Sequence, residues 1–382
     1  MAKIVLAFDS FKGSLTAPQA CQAAAEGVAR LSPAPEVMLC PLSDGGEGFA
    51  EALRLAAGGQ MHALRVTGPL GKPTRAELVW LTGATAVVES AQACGLHLVP
   101  PRRRSPWQTT SYGVGEMLAA AVLPREAETP YAPKTPLRRI VVGLGGSATN
   151  DGGMGLLAAL GWQFLDADDN ALPPIGASLA RVQRIVPGHR LSGIEIVAAC
   201  DVTNPLYGPH GAAHTFAPQK GAVPAEVIAL DEGMRHYAAV CADFLGTDYA
   251  DRPGAGAAGG LGFALLAFFG ATFQPGAQLA IALSGLSSHL RGADLCLTGE
   301  GQTDFQTAYG KLPAAVAACC VQAAVPCVCL SGALGRDWHT LYQQGFTAIL
   351  SIAQRPTTLR EAIRHAPAAL ADTAEAVARL RT

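Results

Sequence analysis

Apolar positions along the chain follow two alternating rhythms. Residues 3–8 (KIVLAF) form an unbroken apolar run of strand length, and residues 17–31 space their apolar positions at helical intervals. Residues 36–42 then read as a strand and residues 46–57 as a helix. This strand–helix alternation predicts a parallel sheet. The same rhythm returns near residue 293, with strands predicted at 293–298, 326–331 and 346–352 and helices at 313–324 and 337–344. Between these ends lie extended segments at 76–80 and 86–90, strands at 138–144 and 194–199, and apolar helices at 223–245 and 259–269. The expected architecture is α/β. A Rossmann-like parallel-sheet domain is assembled from residues 1–80 plus 293–382, a second α/β domain of residues 81–292 is inserted into it, and a ligand is expected in the cleft between them. Residues 124–136 carry four prolines and mixed charges, and predict an exposed loop remote from any chemistry.

Composition narrows the function. At 382 residues the chain exceeds one ordinary core, and 49% apolar residues with 43 glycines and 6% aromatics suit close helix–sheet packing. A formal net charge of -2 supplies no basic field for nucleic acid. The ten cysteines are scattered without CxxC spacing. Cys40, Cys200, Cys296, Cys327 and Cys329 sit in apolar strands, and Cys319 and Cys320 in an alanine-rich helix, so they read as core thiols in a reducing compartment and not as a metal cluster. The first strand runs straight into Asp9 with no signal-peptide pattern, and the long uncharged stretches at 253–290 and 312–334 are broken by glycine, proline and glutamine. A cytoplasmic protein that does not span a membrane is expected. The composition leaves a homo-oligomer open.

The chemistry must come from loops. No GxxxxGK[ST] motif occurs, so a P-loop is excluded. The segment RRIVVGLGGSATNDGG sets a glycine run between an apolar strand and a helix, an outline that offers backbone N–H groups to an anion. Gly143, Gly145 and Ala148 in that run also satisfy a GxGxxA dinucleotide fingerprint, with Asp166 and Asp168 near the expected acidic distance, so an NAD(P)-dependent dehydrogenase is a competing reading. Close helix–sheet packing explains the same glycines. A second match, Gly254, Gly256 and Gly259, has no strand before it. Carboxylates flanked by turn residues recur at predicted strand ends: Asp44 and Glu47 in SDGGEG, Asp151 beside Asn150 in TNDGG, Asp201 near Asn204 in CDVTNP, and Glu300 and Asp304 in TGEGQTD. Hydride transfer needs few carboxylates, whereas phosphoryl transfer needs oxygen ligands for magnesium and an acid to orient the acceptor hydroxyl. Any one of Asp44, Asp151 or Asp201 reads equally as a helix cap or turn residue; their coincidence favours phosphoryl transfer. Lys12, Lys311 and Lys220 are candidate cations, each also readable as a surface lysine. His210 and His214 have helix-face spacing but are interrupted by Pro209 and Gly211, and read as structural or surface residues.

Seven ordered blocks, DSFKGSL, PLSDGGEG, GLGGSATNDGG, CDVTNPLYGPHGAA, PQKGA, PGAGAAGGLGFAL and LTGEGQTDFQT followed by GK, resemble the bacterial class I glycerate kinases over nearly the whole chain. The resemblance implies transfer of the ATP γ-phosphate to D-glycerate with Mg2+, most often giving 2-phosphoglycerate; a 3-phosphoglycerate product or a related small hydroxy acid is the nearest alternative, and a ligand-binding module without turnover a more distant one. On this reading Asp201 is the carboxylate nearest the reacting hydroxyl, and Lys12 and Lys311 balance phosphate or carboxylate charge. Asp44, Asp151 and Glu300 are the metal candidates. Asp9, Ser10, Gly45, Gly46, Gly145, Gly146, Ser147, Asn150, Asn204, Thr303 and Asp304 are the further expected substrate or nucleotide contacts. The chain departs from the family pattern at Phe8, where proline is common, at Gln302, where arginine is common, and in a longer 124–136 loop.

Overall fold

The computed structural model describes residues 2–122, 136–308 and 310–380, so all but the last residue of the expected proline-rich loop lies outside them. Two compact units result: residues 1–44, 51–58 and 275–382 form the first, and residues 45–50 and 59–274 the second.

The first unit is built on a five-stranded, wholly parallel sheet in the order Ala348–Ser351, Cys327–Ser331, Leu295–Gly299, Lys3–Phe8, Glu36–Leu39. Both chain ends contribute to it, as the sequence rhythm predicts. Helix Ala17–Val28 starts at a Thr16 capping box with Pro18 in its first turn, and buries Ala20, Cys21, Ala24 and Val28 against the strands. Helix Leu359–Arg379 lies in the same core through Leu370, Ala374 and Val377. The two helices meet so closely that a methyl group at Gly27 would overlap the Ala371 carbonyl. The segment expected as a helix at 337–344 is instead a run of 3-10 turns, Trp338–Gln344.

The second unit carries a six-stranded sheet ordered Thr272–Gln274, Glu195–Ala199, Arg139–Gly143, Thr85–Glu89, Pro73–Leu81, Gly59–Thr67. The first four strands are parallel and the last two join antiparallel. Its core is filled by Met117, Leu157, Leu230, Met234, Tyr237 and Phe263, and by Trp162, whose ring meets Phe268 edge-on at 5.0 Å.

The division differs from the expected one at residues 80 and 293. Residues 59–81 form a hairpin whose second strand pairs with Thr85–Glu89, Val79 opposite Val87, so the hairpin extends the second sheet. Residues 275–292, in helices Gly276–Ser284 and Leu286–Leu290, belong to the first unit.

Candidate functional site

In the first sheet the chain leaves strand Lys3–Phe8 for its neighbour on one side, Glu36–Leu39, and later returns to the other side as Leu295–Gly299. At such a reversal of winding the loops after the two strands diverge and leave a crevice beyond their carboxyl ends. Those loops are Asp9–Lys12 and Glu300–Asp304, and with Asp44 and Lys311 they line a cavity of about 1030 Å³. Helix Leu359–Arg379 forms a wall of the same cavity, through the apolar Leu359, Ile363, Ala366 and Ala369 and the polar Glu361, His365 and Asp372.

The carboxylates at this crevice are under mutual pressure. Burial, then the nearby charges of Asp44 and Glu300, push the Asp9 carboxyl up to about 7. Burial also raises Glu300, although the hydroxyls of Thr307 at 2.6 Å and Thr303 at 3.3 Å donate to its Oε1 and the Lys311 ammonium stands 3.7 Å from its Oε2. Thr303 is itself held by the Ser331 hydroxyl, which accepts its N–H at 3.1 Å. Asp304 accepts the Gln306 N–H at 2.9 Å. A carboxylate raised by its acidic neighbours, as Asp9 is, loses that repulsion when a hard cation binds, and Lys12 and Lys311 add positive charge for an anionic ligand.

The second sheet brings another set of strand ends into register, with Glu89 beside Gly143 and Gly143 beside Ala199. Glu89, pushed up to about 7 chiefly by burial, accepts the N–H groups of Gly48 and Ala50 at 3.0 and 3.2 Å, and so holds the SDGGEG segment. Gly46 lies so near that a Cβ on Gly145 would sit 2.9 Å from its Cα, which makes glycine necessary there. Asp151 is wholly buried, and burial raises its pKa. Its Oδ2 accepts the Ser111 N–H at 2.7 Å, the Ser111 hydroxyl at 2.8 Å and the Gly155 N–H at 3.3 Å, while Oδ1 accepts the Gly153 N–H at 3.1 Å. Ser111 in turn accepts the Leu156 N–H at 3.0 Å. The first turn of helix Met154–Ala159 therefore spends these N–H groups on internal acceptors, which corrects the expectation that they stand ready for an anion. Lys220 is also buried. Its ammonium donates to Ser147 Oγ at 3.0 Å and to the Thr149 carbonyl at 2.7 Å, and burial pushes its pKa down to about 8. Asn150 is wholly buried, and neither atom of its amide has a hydrogen-bond partner among the described residues. A buried amide in that condition calls for water or a ligand.

The residues singled out in the sequence thus divide. Asp9, Ser10, Lys12, Asp44, Glu300, Asp304 and Lys311 come together around the first-unit cavity, with Thr303 buried behind Glu300. Gly45, Gly46, Gly145, Gly146, Ser147, Asn150 and Asp151 belong to the second unit. There Asp201 is exposed just past strand Glu195–Ala199, and the Asn204 amide bonds to the His210 carbonyl at 2.7 Å and the Thr215 hydroxyl at 3.3 Å. The fingerprint reading of Gly143, Gly145 and Ala148 loses its geometry: a loop through residue 153 intervenes before the helix, and Ala148 N–H donates to the Cys94 carbonyl at 2.7 Å. Asp166 serves its own turn, accepting from Asn170 N–H at 2.9 Å and pairing with Arg181 at 3.0 Å. Sequence reasoning missed Glu89 and the wall helix Leu359–Arg379. The helix carries a legible signal, the Thr358–Glu361 capping box.

A model described as the glycerate kinase family matches residues 4–382. The chain is 40% identical to the glycerate kinase of Bacillus subtilis (strain 168) over 380 residues, 98% of this chain and 97% of the other. It is 40% identical to the glycerate 2-kinase of Escherichia coli (strain K12), covering 95% and 94%. A crystal structure of a protein described as glycerate kinase 2 from Salmonella typhimurium LT2 superposes with a TM-score of 0.85 at 38% identity, over 99% of this chain and 98% of that one.

Proposed function

The chain belongs to the glycerate kinase family and is a kinase, and we propose that it transfers the γ-phosphoryl group of ATP to D-glycerate in the presence of Mg2+, giving 2-phosphoglycerate and ADP. The observation that carries this reading is the mixed lining of the first-unit cavity. Asp9, Asp44, Glu300, Lys12 and Lys311 supply charged groups to its lining, and helix Leu359–Arg379 adds the apolar Ile363, Ala366 and Ala369 beside Glu361, His365 and Asp372. A triphosphate with a nucleoside has a matching mixture. The phosphates suit the lysines and a carboxylate-held cation, and the base suits Ile363, Ala366 and Ala369. The amino end of the wall helix is a poor phosphate site, because Glu361 already bonds back to Thr358 there.

Magnesium is commonly held by one or two carboxylates together with phosphate oxygens and water, so Asp9, Asp44 and Glu300 need not close a cage of their own. Bound there, the ion would neutralise charge on the transferring group. Lys12 and Lys311 orient the phosphates, and the Thr303 and Thr307 hydroxyls keep Glu300 in place. From the second unit we assign Asp201 to the acceptor hydroxyl, as the carboxylate that orients it and takes its proton. Asp151, although named from sequence as a metal candidate, is assigned to holding its loop, since its oxygens are engaged by four internal donors. The name of the Escherichia coli relative, glycerate 2-kinase, supports phosphorylation at the 2-hydroxyl.

Coupled ADP release with D-glycerate tests the reading, with phosphorus NMR of the product. Glycerate-dependent ADP and a 2-phosphate resonance are expected. A 3-phosphate resonance would overturn the position of transfer, and absence of ADP release would overturn the reaction.

A further inference from the structure

Outside the cavity, the first unit contains a cluster that its proposed chemistry does not use. Cys296 on strand Leu295–Gly299 and Cys327 on strand Cys327–Ser331 are register partners on adjacent parallel strands, so their side chains leave the same face of the sheet. Helix Leu312–Gln322 packs on both strands and brings Cys320 to the same point. The three Sγ atoms lie within 4.8 Å of one another, all three residues are buried, and every cysteine is a free thiol. Sequence spacing hides this group, because Cys320 and Cys327 lie 24 and 31 positions after Cys296. The neighbours Cys319 and Cys329 are not members; the Cys329 sulfur meets the Thr303 hydroxyl at 3.7 Å instead.

We propose that Cys296, Cys320 and Cys327 form a three-thiolate site for a single soft divalent d10 cation, zinc or its heavier congener cadmium. Sulfurs about 2.3 Å from a common ion stand about 4 Å apart, so the observed spacing needs only a small contraction. Thiolate is the donor that selects soft ions over magnesium or calcium. Charge selects the valence: loading exchanges three thiol protons for the ion, M2+ + 3 RSH → M(SR)3− + 3 H+, and leaves one net negative charge in the core. A monovalent ion would leave two, at a higher desolvation cost.

The test uses the full chain with Cys319→Ala, which removes the half-buried neighbouring thiol. Cadmium is the probe, added to the protein without oxygen and, in parallel, supplied to the expressing cells so that the buried thiols meet the ion during folding. One equivalent of cadmium per chain and a sulfur-to-cadmium charge-transfer band in the near ultraviolet are expected by at least one route. Cys320→Ala should weaken binding by about a hundredfold or more, since even outer partners of metal ligands are worth ten- to a hundredfold. Cys241→Ala, a buried thiol of the second unit, should change nothing. If Cys320→Ala fails to fold, as judged by circular dichroism, Cys296→Ala or Cys327→Ala carries the same comparison. Failure of both routes to give one equivalent, or equal binding after a trio cysteine is removed from folded protein, overturns the site.

Discussion

The two units present the same element, a carboxylate at or just past the end of a parallel strand, in opposite states. In the first, Asp9 and Glu300 line a cavity, the charges of Asp44 and Glu300 add to burial in raising Asp9, and the donors to Glu300 are side chains, the Thr303 and Thr307 hydroxyls. In the second, Asp151 accepts four hydrogen bonds and Glu89 two, and neither faces an open crevice. Residue type and strand-end placement therefore do not separate chemistry from scaffold; the kind of donor and access to a cavity do. A buried carboxylate that accepts backbone N–H groups fixes a loop, and one that lines a cavity among side-chain donors has capacity for a metal ion or substrate.

Substitutions should expose this contrast most strongly in turnover. Glu300→Gln retains an oxygen for the two threonine hydroxyls but removes the charge, and kcat should fall by about a hundredfold or more with the melting temperature little changed. Asp201→Asn, at the exposed acid of the second unit, should cause a loss of about the same size in steady-state assays. Near-normal kcat in either would remove that residue from the chemistry. Asp151→Asn should behave in the opposite way. Its amide NH2 cannot accept hydrogen bonds, so the cost is about 2–3 kcal/mol of stability, seen as a melting point lower by about 5–10 °C. If instead kcat collapses with stability intact, Asp151 belongs to the chemistry and the contrast between the units fails.

The pH dependence sharpens the comparison further. Asp9 holds its proton to about 7 in the folded chain, whereas an unfolded aspartate releases it near 3.8. The folded form gains relative stability from this group below the lower value, and that gain is lost as pH rises through the folded value. A cation at the crevice competes with the same proton. Thermal stabilisation by Mg2+ should thus be full above about pH 7, and the apparent affinity should weaken toward a limit of about tenfold per pH unit below it. A flat profile between pH 5.5 and 8 would exclude Asp9 from the metal site. The smallest effect belongs to Gln302→Arg, which restores the cation common in the family. Gln302 is exposed and its amide stands 3.4 Å from Asp304 Oδ2, so the new pair should change stability by less than about 0.5 kcal/mol, measured by urea unfolding.

Much of the fold was legible because apolar period alone distinguishes strand from helix, as at residues 3–8 and 17–31. The unit boundary was not, because periodicity says nothing about partners: 59–67 and 73–81 read as ordinary extended segments, and only their pairing onto Thr85–Glu89 assigns them to the second sheet. For the site, turn-flanked acids drew attention to the loops that line the first-unit cavity. They could not reveal that Asp151 is consumed by Ser111, forty residues earlier, or that Glu89 reaches back to Gly48 and Ala50. Those partners are distant in sequence and leave no local pattern. The wall helix Leu359–Arg379 falls between these cases, since its capping box was written in TLRE before an amphipathic run.

The overlap that a methyl group at Gly27 would make with Ala371 has a temporal meaning. Strand Lys3–Phe8 pairs early with Glu36–Leu39 but finds its second parallel partner only at residue 295, and its covering helix packs on one that ends at residue 379. During synthesis the first unit must therefore wait, its opening strand unpaired on one side, until nearly the whole chain has left the ribosome. Residues 59–274, which include every strand of the second sheet, can assemble in the meantime. Until residues 295–299 are made, the growing chain carries an open sheet edge along Lys3–Phe8, the kind of edge on which unintended strand pairing starts.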